Sequence, residues 1–541
     1  MLLQRLHHRV LSTRIFKSPL PPLEFPQKTT WQLIQEMDDH FHKPAVVCGV
    51  NHTTITFGEL VDKVNAIATS LSERGIGKGD VVLTNSVNCI EYPLICQGVD
   101  NISTISDTTT ALGAILSPAP PLFRGDELAI QMKAANAKLV ITHHTVQDAA
   151  KDAIAIAPID KNRQFCIGPS DHFESFDNLL RPKSRVGDYP IPELDLFRDV
   201  SHLPFSSGTT GPPKGVKLSF HNMTANALQS GTAEKMGSHA LTVLPYYHIY
   251  AGMLLNMFLL QGVAQVTLPK FEPEIFLTAL EKYKIEKAHI VPPIAAFLAK
   301  HPLVDKYDLS ATKILISGAA PMGEGLQEEI SKRLGCIMKQ AYGMTELSPV
   351  VNYSLDGDVK TGSSGKLVFN TELRVVCPEK KRDLDVNEVG ELWYRGPQAM
   401  LGYLNNDEAT KSTVTDCGFV KTGDIGYIDE DHHVFIVDRL KELIKYKGHQ
   451  IAPAELEDVV LSHPSVADVG CIRGYDEKNE EVPKACVVLK EGHQLTEQEL
   501  MEYTNSRVAP FKKIRQVVFI NAIPKSASGK ILRRELQAQY K

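Results

Sequence analysis

Short apolar runs alternate with longer amphipathic stretches over most of this chain. Apolar, β-branched runs of strand length lie at residues 80–85, 137–142, 287–291 and 313–317. The amphipathic stretches place apolar residues at helical spacing, and the clearest of them predicts a helix over residues 56–73. Alternation of strands with helices is typical of parallel sheets covered by helices, so the pattern predicts an α/β fold.

The hydrophobic pattern changes in the last third of the chain. From residue 371 to residue 437, short alternating strands follow one another with turns between them, which predicts a β-rich subdomain. Residues from 441 onward form a separate mixed unit. We therefore predict a large N-terminal domain of parallel sheets with helices plus the β-rich subdomain over residues 23–437. A small α+β C-terminal domain follows over residues 438–541.

A basic leader precedes these domains. Residues 1–22 contain no acidic residue, whereas Arg5, Arg9, Arg14 and Lys17 recur among apolar positions at helical spacing. This pattern resembles the amphipathic helix of a mitochondrial transit peptide, and Pro19, Pro21 and Pro22 would end that helix. The alternative is a disordered basic arm on a cytoplasmic enzyme. The final Gln-Tyr-Lys is not a peroxisomal Ser-Lys-Leu signal.

One uncharged segment, residues 249–269, has about the length needed to cross a bilayer. It contains Asn256, Gln261 and Gln265, and its end has the β-branched composition of a strand. These features favour a buried helix followed by a core strand, so no transmembrane segment is predicted.

Composition narrows the function classes. The 541 residues are 43% hydrophobic and 23% charged, as in ordinary globular proteins. A net charge of −6 gives no reason to expect a nucleic-acid partner. The nine cysteines are scattered singly, which indicates free thiols in a reducing compartment. None of these properties specifies an oligomeric state.

The most informative segment is residues 203–216, LPFSSGTTGPPKGV. Its glycines let the backbone approach a ligand closely, and successive N–H groups in such a loop can surround phosphate oxygens. Its spacing differs from that of a P-loop. Hydroxyls, glycines and a lysine make up the predicted phosphate-binding set: Ser206, Ser207, Gly208, Thr209, Thr210, Gly211 and Lys214.

Six further clusters carry candidate chemistry, at residues 245–250, 317–321, 340–346, 421–424, 438–448 and 524–530. The second of them ends a predicted strand, where α/β sheets bind ligands. The third places an aromatic ring, a flexible glycine, a hydroxyl and a carboxylate in what we predict to be one short turn. The last is a predicted mobile loop that presents Lys530.

In this order and spacing, the clusters resemble the acyl-adenylate-forming, or AMP-binding, superfamily of acyl-CoA synthetases, 4-coumarate–CoA ligases, luciferases and peptide-synthetase adenylation domains. The resemblance extends from about residue 29 to residue 534. The run over residues 438–457 is most similar to the 4-coumarate ligase and luciferase branch.

The resemblance implies an enzyme that joins a carboxylic acid to the α-phosphate of ATP and then transfers the acyl group to CoA. Beside the phosphate-binding set, it implies that Thr345 contacts the α-phosphate, that Asp424 and Arg439 hold the ribose, and that Lys530 bridges the acid and the α-phosphate. The remaining nucleotide-binding residues that it implies are Ala319, Ala320, Pro321, Tyr342 and Gly343.

The resemblance also implies sites for the metal, the acid and the thiol. Glu346 would bind Mg²⁺, and His248 would close the acid pocket, whose other implied residues are Tyr250, Leu254, Ala320 and Gly343. The C-terminal domain would rotate about a hinge near residues 438–441. Rotation would bring Lys445 to the acyl-adenylate and CoA to Lys447, Gly448 and His449.

The acid itself stays open. The leading expectation is a fatty acid, and the alternatives are an aromatic acid such as 4-coumarate, a luciferase-like oxygenase or a ligase that loads a carrier protein. An inactive nucleotide-binding protein is disfavoured, because Lys214, Glu346, Asp424 and Lys530 are all present.

Overall fold

The computed structural model describes residues 14–100, 112–184, 193–206, 213–447, 449–526 and 529–540. Its helices are α1 Thr30–Gln35, α2 Phe57–Glu73, α3 Tyr92–Asp100, α4 Gly125–Ala135, α5 Gln147–Ile156, α6 Phe220–Ala233, α7 Ile249–Leu260, α8 Pro273–Lys282, α9 Pro292–Lys300, α10 Glu324–Leu334, α11 Asp407–Thr413, α12 Pro453–Leu461, α13 Glu497–Asn505 and α14 Arg533–Tyr540.

The strands of the large domain before the β-rich subdomain are mostly short. They are, with the N-terminal strand first, β1 Phe16–Lys17, β2 Pro44–Cys48, β3 Thr54–Thr56, β4 Val81–Asn85, β5 Ile115–Ala119, β6 Ala137–His143, β7 Gln164–Ile167, β8 Glu174–Ser175, β9 Val200–His202, β10 Phe205–Ser206, β11 Lys214–Ser219, β12 His239–Thr242, β13 Ala264–Thr267, β14 Lys287–Ile290, β15 Ile314–Ser317, β16 Ile337–Gly343, β17 Val350–Tyr353 and β18 Lys366–Leu367.

The β-rich subdomain and the small domain follow. Their strands are β19 Glu372–Val376, β20 Gly390–Arg395, β21 Gly402–Tyr403, β22 Val420–Ile428, β23 Val434–Arg439, β24 Ile444–Tyr446, β25 His449–Ile451, β26 Val466–Tyr475, β27 Glu481–Leu489 and β28 Gln516–Phe519.

Four sheets build the large domain. The largest has the order β10-β11-β9-β5-β4-β6-β7-β8, with β21 paired to β11, and a second has the order β12-β13-β2-β3. In the third, β14-β15-β16-β17-β18, the first three strands are parallel, and the β-subdomain sheet has the order β1-β19-β20-β22-β23. The small domain contains the sheets β24-β25 and β26-β27-β28. The predicted α/β class with a β-rich subdomain and a small α+β domain is confirmed.

Local sequence explains the best-predicted elements. Helix α2 begins after Thr56, whose side chain accepts from the Glu59 backbone N–H while Glu59 accepts from the Thr56 N–H. Its core-facing apolar positions, such as Leu60, Val64 and Ile67, are fully buried. The uncharged segment is helix α7 followed by strand β13, both buried in the core, as predicted. Among the described residues, no helix is both long and apolar enough to span a membrane.

The N-terminal segment differs from the expected helical leader. Residues 1–13 lie outside the described residues, but Phe16 and Lys17 form strand β1, antiparallel to β19, with Phe16 opposite Leu373. The Phe16 side chain is buried in the core of the β-rich subdomain. The prediction of a helix through these residues is wrong, because the strand partner lies far away in the sequence.

The predicted boundary between residues 437 and 438 also differs from the structure. Strand β23 continues through Asp438 to Arg439, and both residues pair with β22. The first strand that belongs to the small domain alone is β24, which begins at Ile444. Asp438 and Arg439 are therefore held by the sheet of the large domain.

The first prediction concerns the N-terminal strand. Phe16→Ala removes a buried aromatic side chain and is expected to lower the free energy of unfolding of the β-rich subdomain by about 3 kcal/mol. Scanning calorimetry measures the change. Lys17→Ala, whose side chain is 76% exposed, should change it by less than about 0.5 kcal/mol. Equal stability of the two variants would show that β1 does not contribute to this core.

Candidate active site

A cavity of about 650 Å³ lies where the sheets of the large domain meet the small domain. Its walls come from the end of β16, from strands β22 and β23, from the start of α7, and from the loop before α14. The carboxyl end of β15 contributes Gly318 and Ala319. This is the edge of a parallel sheet at which α/β folds place ligands, as predicted for residues 317–321.

Strand β16 and the turn after it bring four predicted residues into the wall: Tyr342, Gly343, Thr345 and Glu346. Residues 340–343 are strand rather than the short turn that we predicted, and Thr345–Leu347 forms a single 3-10 turn. Gly343 is needed for packing rather than flexibility, because a Cβ there would run into the backbone carbonyl of Pro349.

Tyr342 connects this sheet to the sheet of the β-rich subdomain. Its hydroxyl donates a hydrogen bond of 2.5 Å to Oδ2 of Asp424 on β22. Burial raises the pKa of Tyr342 well above its ordinary value, and the Asp424 charge adds to this effect. The phenol therefore stays protonated and remains a donor.

Asp424 and Arg439 face one another across β22 and β23. They are register partners, and Arg439 Nε lies 3.4 Å from Asp424 Oδ1. Both line the cavity. A buried carboxylate beside a guanidinium provides acceptors and donors for vicinal hydroxyls, as on a ribose.

Glu346 is buried, and its Oε1 atom accepts hydrogen bonds from two hydroxyls. Ser206 donates at 3.2 Å and Tyr403 at 2.9 Å. Lys214 Nζ lies 5.0 Å from the centre of the Tyr403 ring. Tyr403 was not predicted from the sequence, since its place beside the site depends on the pairing of β21 with β11, which places it opposite Val216.

A single carboxylate fits a magnesium site of one particular kind. The described part of the chain contains no group of three or more His, Cys, Asp or Glu side chains that could hold a metal ion. Mg²⁺ is commonly held by one or two carboxylates together with the phosphates of a substrate. Glu346, with its orientation fixed through Oε1 by two hydroxyls, fits such a site.

The phosphate-binding loop is described only at its two ends. Ser207, Gly208, Thr209, Thr210 and Gly211 lie outside the described residues. Ser206 and Lys214 are opposed on the antiparallel strands β10 and β11, and both line the cavity. The strands therefore direct both ends of the loop toward Glu346.

Lys530 reaches the same cavity from the small domain. Burial and the Arg439 charge lower its pKa to about 8. Burial, together with the Lys530 charge, lowers the pKa of His248 to about 4, so this imidazole is neutral at pH 7. His248 Nδ1 accepts from the Tyr250 N–H at 3.3 Å and caps helix α7.

The predicted acid pocket is only partly reproduced. His248, Tyr250 and Gly343 line the cavity, and the Tyr250 hydroxyl lies 2.8 Å from His289 Nδ1. Leu254 is buried one helical turn deeper and is not on the wall. Ala320 and Pro321 also lie off the wall, and they follow Ala319, which has a left-handed φ of 70°.

The residues predicted to serve CoA lie away from the cavity in this domain orientation. Lys445, Lys447 and His449 belong to the exposed β24–β25 hairpin, and Gly448 lies outside the described residues. The Lys445 N–H donates to Glu481 at 2.7 Å, and the His449 ring stacks on Phe511 at 4.2 Å. The structure thus brings together Lys530 and His248 but not Lys445.

Comparison with known proteins agrees with this geometry. The model for AMP-binding enzymes matches residues 35–404, and the model for their C-terminal domain matches residues 455–530. A probable 4-coumarate–CoA ligase 1 from Dictyostelium discoideum is 38% identical over 98% of each chain. 4-Coumarate–CoA ligase 3 from Arabidopsis thaliana is 37% identical over 99% of this chain and 95% of its own.

Solved structures of other proteins share this fold. ATP-bound MatB from Rhodopseudomonas palustris is 25% identical, with a TM-score of 0.84 over 95% of this chain and 99% of its own. An anthranilate CoA ligase, AuaEII, in complex with anthranoyl-AMP has a TM-score of 0.86 at 21% identity, over 96% of this chain and 98% of its own. The second likeness concerns the fold alone.

The second prediction concerns the Tyr342 hydroxyl. Tyr342→Phe removes the donor that orients Asp424, and a hydrogen bond to a charged group contributes about 1.5–3 kcal/mol. We expect AMP to bind about tenfold more weakly, as measured by titration calorimetry. The control is Tyr427→Phe. Tyr427 lies on β22, the strand of Asp424, and its ring stacks on Phe435 away from the cavity. Equal affinities of both variants would contradict this role of Tyr342.

Proposed function

This chain belongs to the AMP-binding enzyme family and is an AMP-forming acid–CoA ligase, and we propose that its acid is a compact aromatic or arylpropenoid carboxylic acid. The observation that carries the proposal is the full-length similarity to 4-coumarate–CoA ligases, in both the nucleotide domain and the C-terminal domain. The expectation of a fatty acid gains no such support.

The cavity supports a compact acid. Its volume of about 650 Å³ lies within the usual range for a small-molecule pocket, and it must hold a nucleotide as well as the acid. The acid end is bounded by Tyr250, Gly318, Gly343 and Val350. The aromatic side chain of Tyr250 lies beside Gly318 there, and its hydroxyl lies 2.8 Å from His289 Nδ1. An aryl acid suits such a pocket, since stacked rings gain attraction beyond the area that they bury.

For the first half-reaction we propose roles for the residues of the phosphate-binding loop and of the cavity wall. Asp424 and Arg439 hold the ribose hydroxyls, and Lys214 with residues 206–211 holds the terminal phosphates. Glu346 would hold Mg²⁺, which would supply charge neutralisation on the phosphates. The Lys530 ammonium lies between the acid carboxylate and the α-phosphate, where negative charge develops as the mixed anhydride forms and diphosphate leaves.

His248 contributes as a neutral group in this scheme. Because its pKa is lowered to about 4, the imidazole adds no positive charge beside Lys530. Its Nδ1 atom is engaged by the start of α7, so the ring is fixed at the mouth of the acid pocket. A fixed, uncharged ring there excludes water from the acyl-adenylate, which is sensitive to hydrolysis.

For the second half-reaction we propose that the small domain rotates about residues 438–441. Rotation withdraws Lys530 and brings the β24–β25 hairpin to the cavity. Lys445 then faces the acyl-adenylate, while Lys447, Gly448 and His449 contact CoA, whose thiol displaces AMP. The exposure of this hairpin in the present orientation supports the proposal.

The function is tested by diphosphate release with ATP, Mg²⁺ and a panel of cinnamic, benzoic and short to long fatty acids, with and without CoA. We expect release with aryl acids, acceleration by CoA, and a loss of at least about a hundredfold in Lys530→Ala. Lys525→Ala, which removes a lysine paired with Asp468 in the same loop, is the control. Release with fatty acids alone would overturn the proposed substrate class.

The pH dependence of the first half-reaction follows from Lys530. Its ammonium is the required form and loses its proton as pH rises through about 8 in the free enzyme. We therefore expect kcat/KM for diphosphate release to fall above about pH 8. In Lys530→Arg the slower reaction should not fall over this range, because a guanidinium stays charged. A wild-type profile that stays flat well above pH 8 would contradict this role.

A further inference from the structure

Helix α12 of the small domain lacks a cap from its own segment. Its N-cap residue is Ala452, which has no side chain able to accept a hydrogen bond, and its first residue is Pro453, which has no N–H to donate. Ala454 therefore supplies the first backbone N–H of the helix. An N-terminal N–H that is shielded from water needs an acceptor, and a carboxylate is the favoured one.

Asp438 of the large domain supplies that acceptor. Its Oδ2 atom accepts from the Ala454 N–H at 2.9 Å, and its Oδ1 atom accepts from the Arg439 N–H at 2.6 Å. Asp438 is only 5% exposed and is fixed by the pairing of β23 with β22. This hydrogen bond crosses from the sheet of the large domain to a helix of the small domain.

Arg533 connects the same place to the loop of Lys530. It follows Lys530 by three residues and begins α14. Its Nη2 atom lies 2.8 Å from Glu457 Oε2 on α12, and its Nε atom lies 3.3 Å from Glu442 Oε2. Asp438 is also within the electrostatic reach of this guanidinium, so three carboxylates surround one positive charge. Arg533 therefore offsets part of the negative charge that Asp438, Glu442 and Glu457 bring together here.

We propose that Asp438 is a positioning residue that holds the small domain in the orientation that places Lys530 in the cavity. The inference rests on the proposed function, in which the domain rotates between two half-reactions. Rotation would separate Asp438 from Ala454, because the two residues belong to different domains. Asp438 should therefore support formation of the acyl-adenylate and contribute little to thioester formation.

The test measures the two half-reactions separately on the full chain. Acid-dependent exchange of labelled diphosphate into ATP reports the first, and acyl-CoA formation from chemically prepared acyl-AMP and CoA reports the second. In Asp438→Ala we expect the first rate to fall by about tenfold, from the lost cap of α12, with the second within about twofold of wild type. Asp438→Asn keeps an acceptor oxygen and should lose less.

Thr496→Ala is the matched control, because Thr496 caps α13 within the small domain by accepting from the Glu499 N–H at 3.2 Å. It removes a cap of the same kind without crossing between domains, so the ratio of the two rates should not change. If Asp438→Ala lowers both half-reactions equally, or neither, the positioning role is wrong.

A second readout does not depend on the acid. The rate at which an amine-reactive reagent modifies Lys530, followed by mass spectrometry, should rise in Asp438→Ala and stay at the wild-type value in Thr496→Ala. Unchanged labelling in Asp438→Ala would overturn the inference. A wild-type enzyme that exchanges no diphosphate with any acid would instead count against the proposed function, while the labelling still decides the role of Asp438.

Discussion

The hydrogen bond from Tyr342 to Asp424 connects the parts of the large domain on which the site depends. Tyr342 ends a strand of the parallel sheet, whereas Asp424 belongs to the antiparallel sheet of the β-rich subdomain. Asp424 in turn pairs with Arg439, near the end of the last strand before the small domain. A displacement of either sheet would therefore change the positions of Asp424, of Arg439 and of the proposed hinge together.

Burial determines which charges the site carries. The cavity is lined by basic and acidic side chains together: Lys214, Lys421, Arg439, Lys441 and Lys530 with Glu346, Glu391 and Asp424. Burial lowers the pKa of Lys530, whereas an anionic ligand beside the ammonium would raise it again. The lysine is thus most strongly charged when a phosphate or carboxylate is present. His248 differs from Lys530 in this respect, because its burial and the neighbouring Lys530 charge both favour the neutral imidazole.

Much of the fold could be predicted from the sequence because its signals are local. The capping pair Thr56 and Glu59 and the apolar face after it specify α2, and the polar residues within the uncharged segment separate α7 and β13 from a membrane helix. The errors arose where a distant partner decides the conformation. Phe16 is a strand residue because of Leu373, and β23 continues to Arg439 because of Asp424.

The same distinction applies to the site. Motifs in sequence order were enough to select Lys530, His248, Tyr342, Glu346, Asp424 and Arg439, all of which line one cavity. Tyr403 could not be selected in this way, and Asp438 was selected only as part of the predicted hinge. The role of Tyr403 depends on a strand pairing, and that of Asp438 depends on the place where another domain's helix begins. Leu254, Ala320 and Pro321 were predicted from the same motifs but do not line the cavity. A residue next to a wall residue in the sequence need not face the cavity.

The N-terminal strand also sets the order in which the protein can be completed during synthesis. Leu23 and Asn370, which exchange hydrogen bonds beside this strand, are 347 positions apart. At about 5–20 residues per second, the ribosome needs roughly 20 to 70 s to supply the second partner after the first. Throughout that interval the β1 segment has no strand to pair with and is open to any factor that binds nascent chains. The last sheet of the large domain to close is therefore the one that contains β1, its earliest strand in the sequence.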